Sequence, residues 1–118
     1  MKTLIVQIQE GLATALEAEH AVRQLLSLAG DKPPEGRAVA VPGEGCINVN
    51  FRTLDLPRLW QAIQERLGFA EGVKPAIARA LVVVCEGDYG WDDYLLLHHF
   101  DDFEIPDVAP GAWLEGQG

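Results

Sequence analysis

The run Ala80-Leu81-Val82-Val83-Val84-Cys85 constrains the fold more than any other part of this 118-residue chain. It is apolar without interruption, carries three successive valines, and is followed by Glu86-Gly87-Asp88. A short β-branched run of this kind predicts a strand that is apolar on both faces. Such a strand lies inside a sheet, and each of its two sides must be covered.

Three other segments have the two-residue period of a strand. Residues 3–9 place apolar side chains at every second position. Residues 37–41 and 46–52 flank Pro42-Gly43-Glu44-Gly45, whose glycines can adopt the positive φ of a tight reversal. We therefore expect an N-terminal strand and, later in the chain, a hairpin with one apolar and one polar face.

Two segments have helical spacing and local helix signals. Thr14-Ala15-Leu16-Glu17 has the capping-box form and begins an apolar stripe. This pattern predicts a helix over residues 14–29 that ends at Gly30 in the left-handed conformation. Asp55 can cap a second helix, which we expect to run up to Gly68.

The element order is strand, helix, strand, strand, helix, strand, which resembles the ferredoxin-like βαββαβ arrangement. The resemblance covers residues 1–86, is one of element order alone, and identifies no functional family. It implies an α+β two-layer sandwich with sheet order 4-1-3-2 and both helices on one face. We expect a single domain over residues 1–103, with an added C-terminal strand or short helix. Residues 104–118 should form an extended or partly disordered acidic tail.

The net charge of -9 is concentrated at one end of the chain. Residues 1–85 contain nine basic and nine acidic residues, whereas residues 86–118 contain nine acidic residues and no Lys or Arg. No basic stripe is available to contact a phosphate backbone, so we expect no nucleic-acid partner. No apolar run reaches the roughly 18 residues of a membrane span, and the N-terminus turns polar too early for a signal peptide. We expect a cytoplasmic protein without a membrane partner.

The two cysteines, Cys46 and Cys85, match neither a secreted disulfide framework nor a zinc pattern. In the expected sheet the first strand lies between them, which excludes a disulfide. We expect free, buried thiols. Cys85 also lies in an acidic stretch, and this disfavours the thiolate that a nucleophile requires.

Residues 91–103 are compatible with a strand or a helix, and we favour a strand paired with the Ala80–Cys85 run. Strict alternation would place Tyr94, Leu96, His98 and Phe100 on one face. The helices of the expected fold cover one face of the sheet, so this segment, or a second copy of the chain, would cover the other.

The pair His98-His99 followed by Asp101-Asp102 suggests metal ligation. Neighbouring histidines on a strand point to opposite faces, however, and on a helix they diverge by about 100°. Pro42-Gly43-Glu44-Gly45 lacks the pattern of a phosphate-binding loop. We therefore expect no catalytic residue, no metal and no cofactor.

The acidic excess is interleaved with aromatic residues, and aromatic anchors ringed by carboxylates are typical of a surface that holds a basic protein. We predict a small non-catalytic interaction domain, of inhibitor or immunity type in one version, that binds a basic partner through its C-terminal region. The predicted partner-binding residues are Trp91, Asp92, Asp93, Tyr94, Asp101, Asp102 and Phe103.

Three alternatives remain open for this region. One is a small-molecule- or metal-binding enzyme domain on a dimeric ferredoxin-like sheet, with His98, His99, Asp101 or Glu86 lining a pocket. Another is a structural homodimer formed through the open sheet face. The simplest is an acidic face that only increases solubility.

Overall fold

The computed structural model describes residues 1–30, 32, 34–41, 45–69, 74–87 and 90–101. Within these residues two helices pack against a five-stranded antiparallel sheet, which confirms the predicted α+β class. The strand order is β2-β3-β1-β4-β5. The elements are β1 (Lys2–Gln9), α1 (Ala15–Leu26), β2 (Glu35–Val41), β3 (Cys46–Thr53), α2 (Leu56–Leu67), β4 (Leu81–Gly87) and β5 (Gly90–His98), with 3₁₀ turns at Glu10–Leu12 and Ala76–Ala80.

The core lies between the helices and one face of the sheet. Leu4 of β1 is opposite Phe51 of β3 on one side and Cys85 of β4 on the other, and all three are fully buried. The two-residue period of each strand places every second side chain on this helix-covered face. The sheet also contributes Val6, Ile8, Val49, Leu81, Val83 and Leu97 to the core, and the helices contribute Ala18, Ala21, Leu25, Leu56, Leu59, Trp60, Ile63 and Leu67.

Helix α1 begins as predicted and ends earlier. The Thr14 hydroxyl accepts a hydrogen bond from the Glu17 backbone N–H, and the Glu17 carboxylate accepts one from the Thr14 N–H, which completes the capping box. The prediction that Gly30 ends the helix in the left-handed conformation is wrong. The helix ends at Leu26. The residues after it form a tighter turn, in which Leu28 N–H donates to the Leu25 carbonyl and Ala29 N–H donates to the Leu26 carbonyl, each three residues earlier.

Helix α2 matches its predicted signals at both ends. The Asp55 carboxylate accepts a hydrogen bond from the Arg58 backbone N–H. Gly68 adopts φ of 93° and closes the last turn by donating to the Gln64 carbonyl. Gly45, before β3, also has positive φ, as a reversal requires, whereas residues 42–44 lie outside the described residues.

The segment after β4 forms a strand, as favoured from its sequence, and it pairs antiparallel with β4 at the edge of the sheet. Its alternation is broken, because Leu96 is opposite Val84 while His98 is opposite Val83. Leu97 is thus an extra residue in β5, which is the geometry of a β-bulge. The prediction that Leu96 and His98 share a face is therefore wrong. The tail predicted over residues 104–118 lies outside the described residues.

Candidate protein-interaction surface

Strand β5 carries the predicted aromatic anchors at the surface. Trp91 is 44% exposed and Tyr94 is 57% exposed, although large aromatic side chains are usually much more buried. Asp92 and Asp93 lie between them in the same strand, and the structure describes only their backbone. One short stretch of the sheet edge therefore presents two aromatic rings within an acidic sequence.

The end of β5 is attached to the core through His98. Its side chain is 6% exposed, and Nε2 lies 2.8 Å from the carbonyl oxygen of Ala78 in the 3₁₀ turn before β4. The ring also meets Phe69 edge-on, with centroids 5.4 Å apart. Leu97, which is 3% exposed, adds to the same anchor. The exposed aromatic residues therefore lie on a strand whose far end is fixed by packing and a buried polar contact.

Beyond β5 the chain makes a local turn. The backbone N–H of Asp101 donates to Nδ1 of His99 at 3.0 Å, and the His99 ring packs on Phe100 with centroids 4.4 Å apart. Asp101 is exposed at the surface. The other two predicted partner-binding residues, Asp102 and Phe103, lie outside the described residues.

The two histidines that suggested metal ligation have separate environments. His98 is directed into the protein towards Ala78, whereas His99 contacts its own chain neighbours at the turn. Within the described part of the chain, no three His, Cys, Asp or Glu side chains come close enough to hold an ion together. His98 therefore contacts the core, and His99 stabilises the turn after β5.

Both cysteines are buried and neither forms a disulfide, as predicted. Cys85 lies in the core, and burial, reinforced by the neighbouring Glu86 carboxylate and only partly offset by Lys2, raises the pKa of its thiol to about 12. At neutral pH this group is protonated. Because the thiolate is the nucleophile, Cys85 is unsuited to covalent chemistry in the native state.

Glu86 joins two strands at the point where β5 begins. Its carboxylate accepts a hydrogen bond from the backbone N–H of Thr3, and Lys2 Nζ donates to the carbonyl of Gly87 at 3.0 Å. The carboxylate therefore ties the start of β1 to the end of β4.

A groove of about 630 Å³ lies on the helix side of the molecule, remote from the candidate residues in sequence. Its polar wall includes Asp55, whose carboxylate is engaged in capping α2. No sequence motif marks this groove, since its residues come from β3, α2 and separate loop positions. It is lined by Leu28, Pro34, Thr53, Leu54, Asp55, Arg58, Leu59, Gln61, Ala62 and Glu65.

Comparison of this chain with protein-family models, with curated proteins and with solved structures found no match. In the part of the chain that the structure describes, neither helix has the length and apolar character needed to cross a membrane.

Proposed function

We propose that this protein is a small, non-catalytic, cytoplasmic interaction domain that binds a basic protein partner through β5 and the residues after it. The observation that carries the proposal is the exposure of Trp91 and Tyr94 on either side of Asp92 and Asp93. Interface anchors are enriched in Trp and Tyr, since one rigid ring supplies a large contact area. An inhibitor or immunity-type role against a cationic toxin or nuclease is one concrete form of this function.

The charge distribution supports the choice of partner. Nine acidic residues and no Lys or Arg occupy residues 86–118, while residues 1–85 sum to zero. A region with one sign of charge attracts an oppositely charged surface over about one Debye length, roughly 8–10 Å at physiological salt. Because residues 1–85 carry no net charge, they do not oppose this attraction. The C-terminal region therefore sets the orientation in which a basic partner approaches.

The fold supports a scaffold role for the rest of the chain. We propose that β1 to β4 with the two helices form a ferredoxin-like βαββαβ sandwich, and that β5 is an addition to its edge. The element order and the antiparallel β2-β3-β1-β4 neighbours are consistent with this assignment. Because strands position side chains more rigidly than loops do, an aromatic pair on β5 is well suited to recognition.

The experiment is affinity capture from the source cell with two variants of equal charge. The test variant converts Asp92, Asp93, Asp101 and Asp102 to Asn, and the control converts four acids of the body to Gln: Glu10, Glu19, Glu35 and Glu65. We expect the wild type and the control to retain the same basic protein, and the test variant to lose it. Circular dichroism of each variant establishes that its fold is unchanged.

A second pair of variants tests the aromatic anchors. Tyr94→Ala should reduce the affinity for the captured partner by about thirtyfold or more, since buried Tyr anchors contribute about 2 kcal/mol or more at hot spots. Leu16→Ala, at a helix position that is 78% exposed, is the matched control and should leave the affinity unchanged. The proposal would be refuted if the wild type captured an acidic or neutral protein. It would also be refuted if neither the Asn variant nor Tyr94→Ala bound the captured partner more weakly than the wild type does.

A further inference from the structure

The two exposed aromatic residues of β5 lie in a part of the strand that departs from regular pairing. Cys85 of β4 is opposite Leu95, and Gly87, two residues further along β4, is opposite Gly90. Between these pairs β4 has one residue and β5 has four, residues 91–94, which we call the bulged segment. Bulges re-aim the side chains that they carry, and they are over-represented beside functional sites.

Both rings of the bulged segment are accessible. Trp91 and Tyr94 are 44% and 57% exposed, and the ring contacts found in the described part of the chain involve other residues. Neither side chain has a hydrogen bond or an ion pair among the described residues. Residues 86–118 contain no Lys or Arg, so the neighbouring sequence supplies no cation to either ring. A group from outside the chain can therefore contact both.

The sequence of the bulged segment determines which kind of group fits the rings. Each ring has an aspartate as its chain neighbour, since Asp92 follows Trp91 and Asp93 precedes Tyr94. An apolar pocket that enclosed a ring would also remove water from the neighbouring carboxylate and give it no compensating contact. A cation compensates the carboxylate, and it is also attracted to the negative face of an aromatic ring. The segment therefore favours a cationic group over an apolar one.

We propose that the bulged segment binds arginine side chains of the basic partner, with a guanidinium stacked on the ring of Trp91 or Tyr94. This inference rests on the proposed function and specifies the chemical group that β5 recognises. A guanidinium is planar and weakly hydrated, so it stacks on a ring while the N–H donors at its edge remain available to carboxylates. The ammonium of lysine is compact and strongly hydrated, and it should bind more weakly here.

The surroundings of a cation–π contact set its strength. At an exposed site such a contact changes affinity by about two- to fivefold, and in a desolvated interface by about thirtyfold. A short peptide leaves the rings largely in water, so the smaller effect applies to it. A folded partner that excludes water from β5 should give the larger effect.

Calorimetric titration of the purified full chain with synthetic peptides tests the chemical class without the natural partner. The probes are repeats in which serine alternates with arginine, with lysine or with citrulline, the uncharged isostere of arginine. We expect the arginine peptide to bind most tightly, the lysine peptide to bind about twofold or more weakly, and the citrulline peptide to show no measurable binding. Equal affinities for the arginine and lysine peptides would overturn the stacked guanidinium.

Two substitutions of Tyr94 separate a cation–π contact from an apolar one. Tyr94→Phe keeps an aromatic face and should bind the arginine peptide within about twofold of the wild type, whereas Tyr94→Leu keeps only apolar bulk and should bind it about two- to fivefold more weakly. Leu16→Ala, at a position that is 78% exposed on α1, should leave the affinity unchanged. Circular dichroism establishes that each variant is folded. Equal affinities of the Phe and Leu variants would contradict the proposal.

Binding of the same variants to the captured basic partner distinguishes this inference from the proposed function. We expect Tyr94→Phe to retain the partner and Tyr94→Leu to bind it up to about thirtyfold more weakly. If the wild type captures a basic protein that the Phe and Leu variants bind equally well, the proposed function stands and the stacked arginine is wrong. If the wild type captures no basic protein but its affinity for the arginine peptide still depends on a ring at position 94, the ring–cation contact stands and the proposed function is wrong.

Discussion

Gly36 of strand β2 lies against Ala29 and Phe51, and we predict that Gly36→Ala destabilises the fold. A Cβ at this position would lie 3.0 Å from the Ala29 Cβ and 3.0 Å from Cε1 of Phe51. Carbon atoms pack best at about 3.5–4.0 Å, so the new methyl group would overlap both neighbours. Phe51 of β3 is fully buried, so its ring is enclosed by other core atoms.

Two opposing contributions set the size of the effect. Overpacking of a tight core site costs about 1–3 kcal/mol. Replacing Gly by Ala also restricts the unfolded chain, which favours folding by about 0.4–1 kcal/mol where the native φ is allowed, and Gly36 has no positive φ. The difference predicts that the free energy of unfolding falls by about 1 kcal/mol.

Urea denaturation followed by circular dichroism measures this change. Gly11→Ala is the matched control: a Cβ at Gly11 would meet nothing within 4 Å and Gly11 has no positive φ, so only the restriction of the unfolded chain remains and stability should rise by about 0.4–1 kcal/mol. In a background of Phe51→Leu, which removes part of the ring, the penalty of Gly36→Ala should shrink. A Gly36→Ala protein as stable as the wild type, or more stable, would refute the packing described for β2.

Three further predictions concern single groups. The raised pKa of the Cys85 thiol means that its contribution to stability is complete below pH 9.0, the unfolded-state value, and is lost towards pH 12 at roughly 1.4 kcal/mol per unit. Alkaline unfolding of Cys85→Ala should be correspondingly less steep than that of the wild type, and equal slopes would contradict this. Thr14→Ala should lower the free energy of unfolding by about 1 kcal/mol through loss of the bond to Glu17 N–H, whereas Thr14→Ser should retain most of it in thermal unfolding. His98→Phe keeps a ring against Phe69 but leaves the Ala78 carbonyl without this partner, so urea denaturation should show a loss of about 1–3 kcal/mol. Wild-type stability in that variant would show that the Ala78 contact does not anchor β5.

Local chemistry explains which elements could be predicted from the sequence. The capping box at Thr14 and the Gly68 terminator depend on groups within four residues of each other, and both were confirmed. Gly30 misled the prediction because the turn after α1 closes through bonds between residues three apart and needs no left-handed residue. A glycine after an apolar stripe permits that conformation without requiring it.

Strand β5 shows the limit of periodicity. The Ala80–Cys85 run needs a neighbouring strand, and this need predicted that β5 exists. It did not predict the bulge at Leu97. The bulge arises from tertiary demands: His98 reaches the Ala78 carbonyl only if the strand shifts its alternation. The exposure of Trp91 and Tyr94 likewise depends on the register of β5 on β4, which no local pattern specifies.

The salt dependence of affinity for the captured basic partner tests the central proposal most directly. We predict that the wild type binds more weakly as ionic strength rises from about 50 to 300 mM, because screening shortens the reach of the acidic region. The variant with Asn at positions 92, 93, 101 and 102 should bind weakly throughout and show a much shallower slope. Equal affinities of the two proteins at every salt concentration would contradict a function based on the acidic C-terminal region.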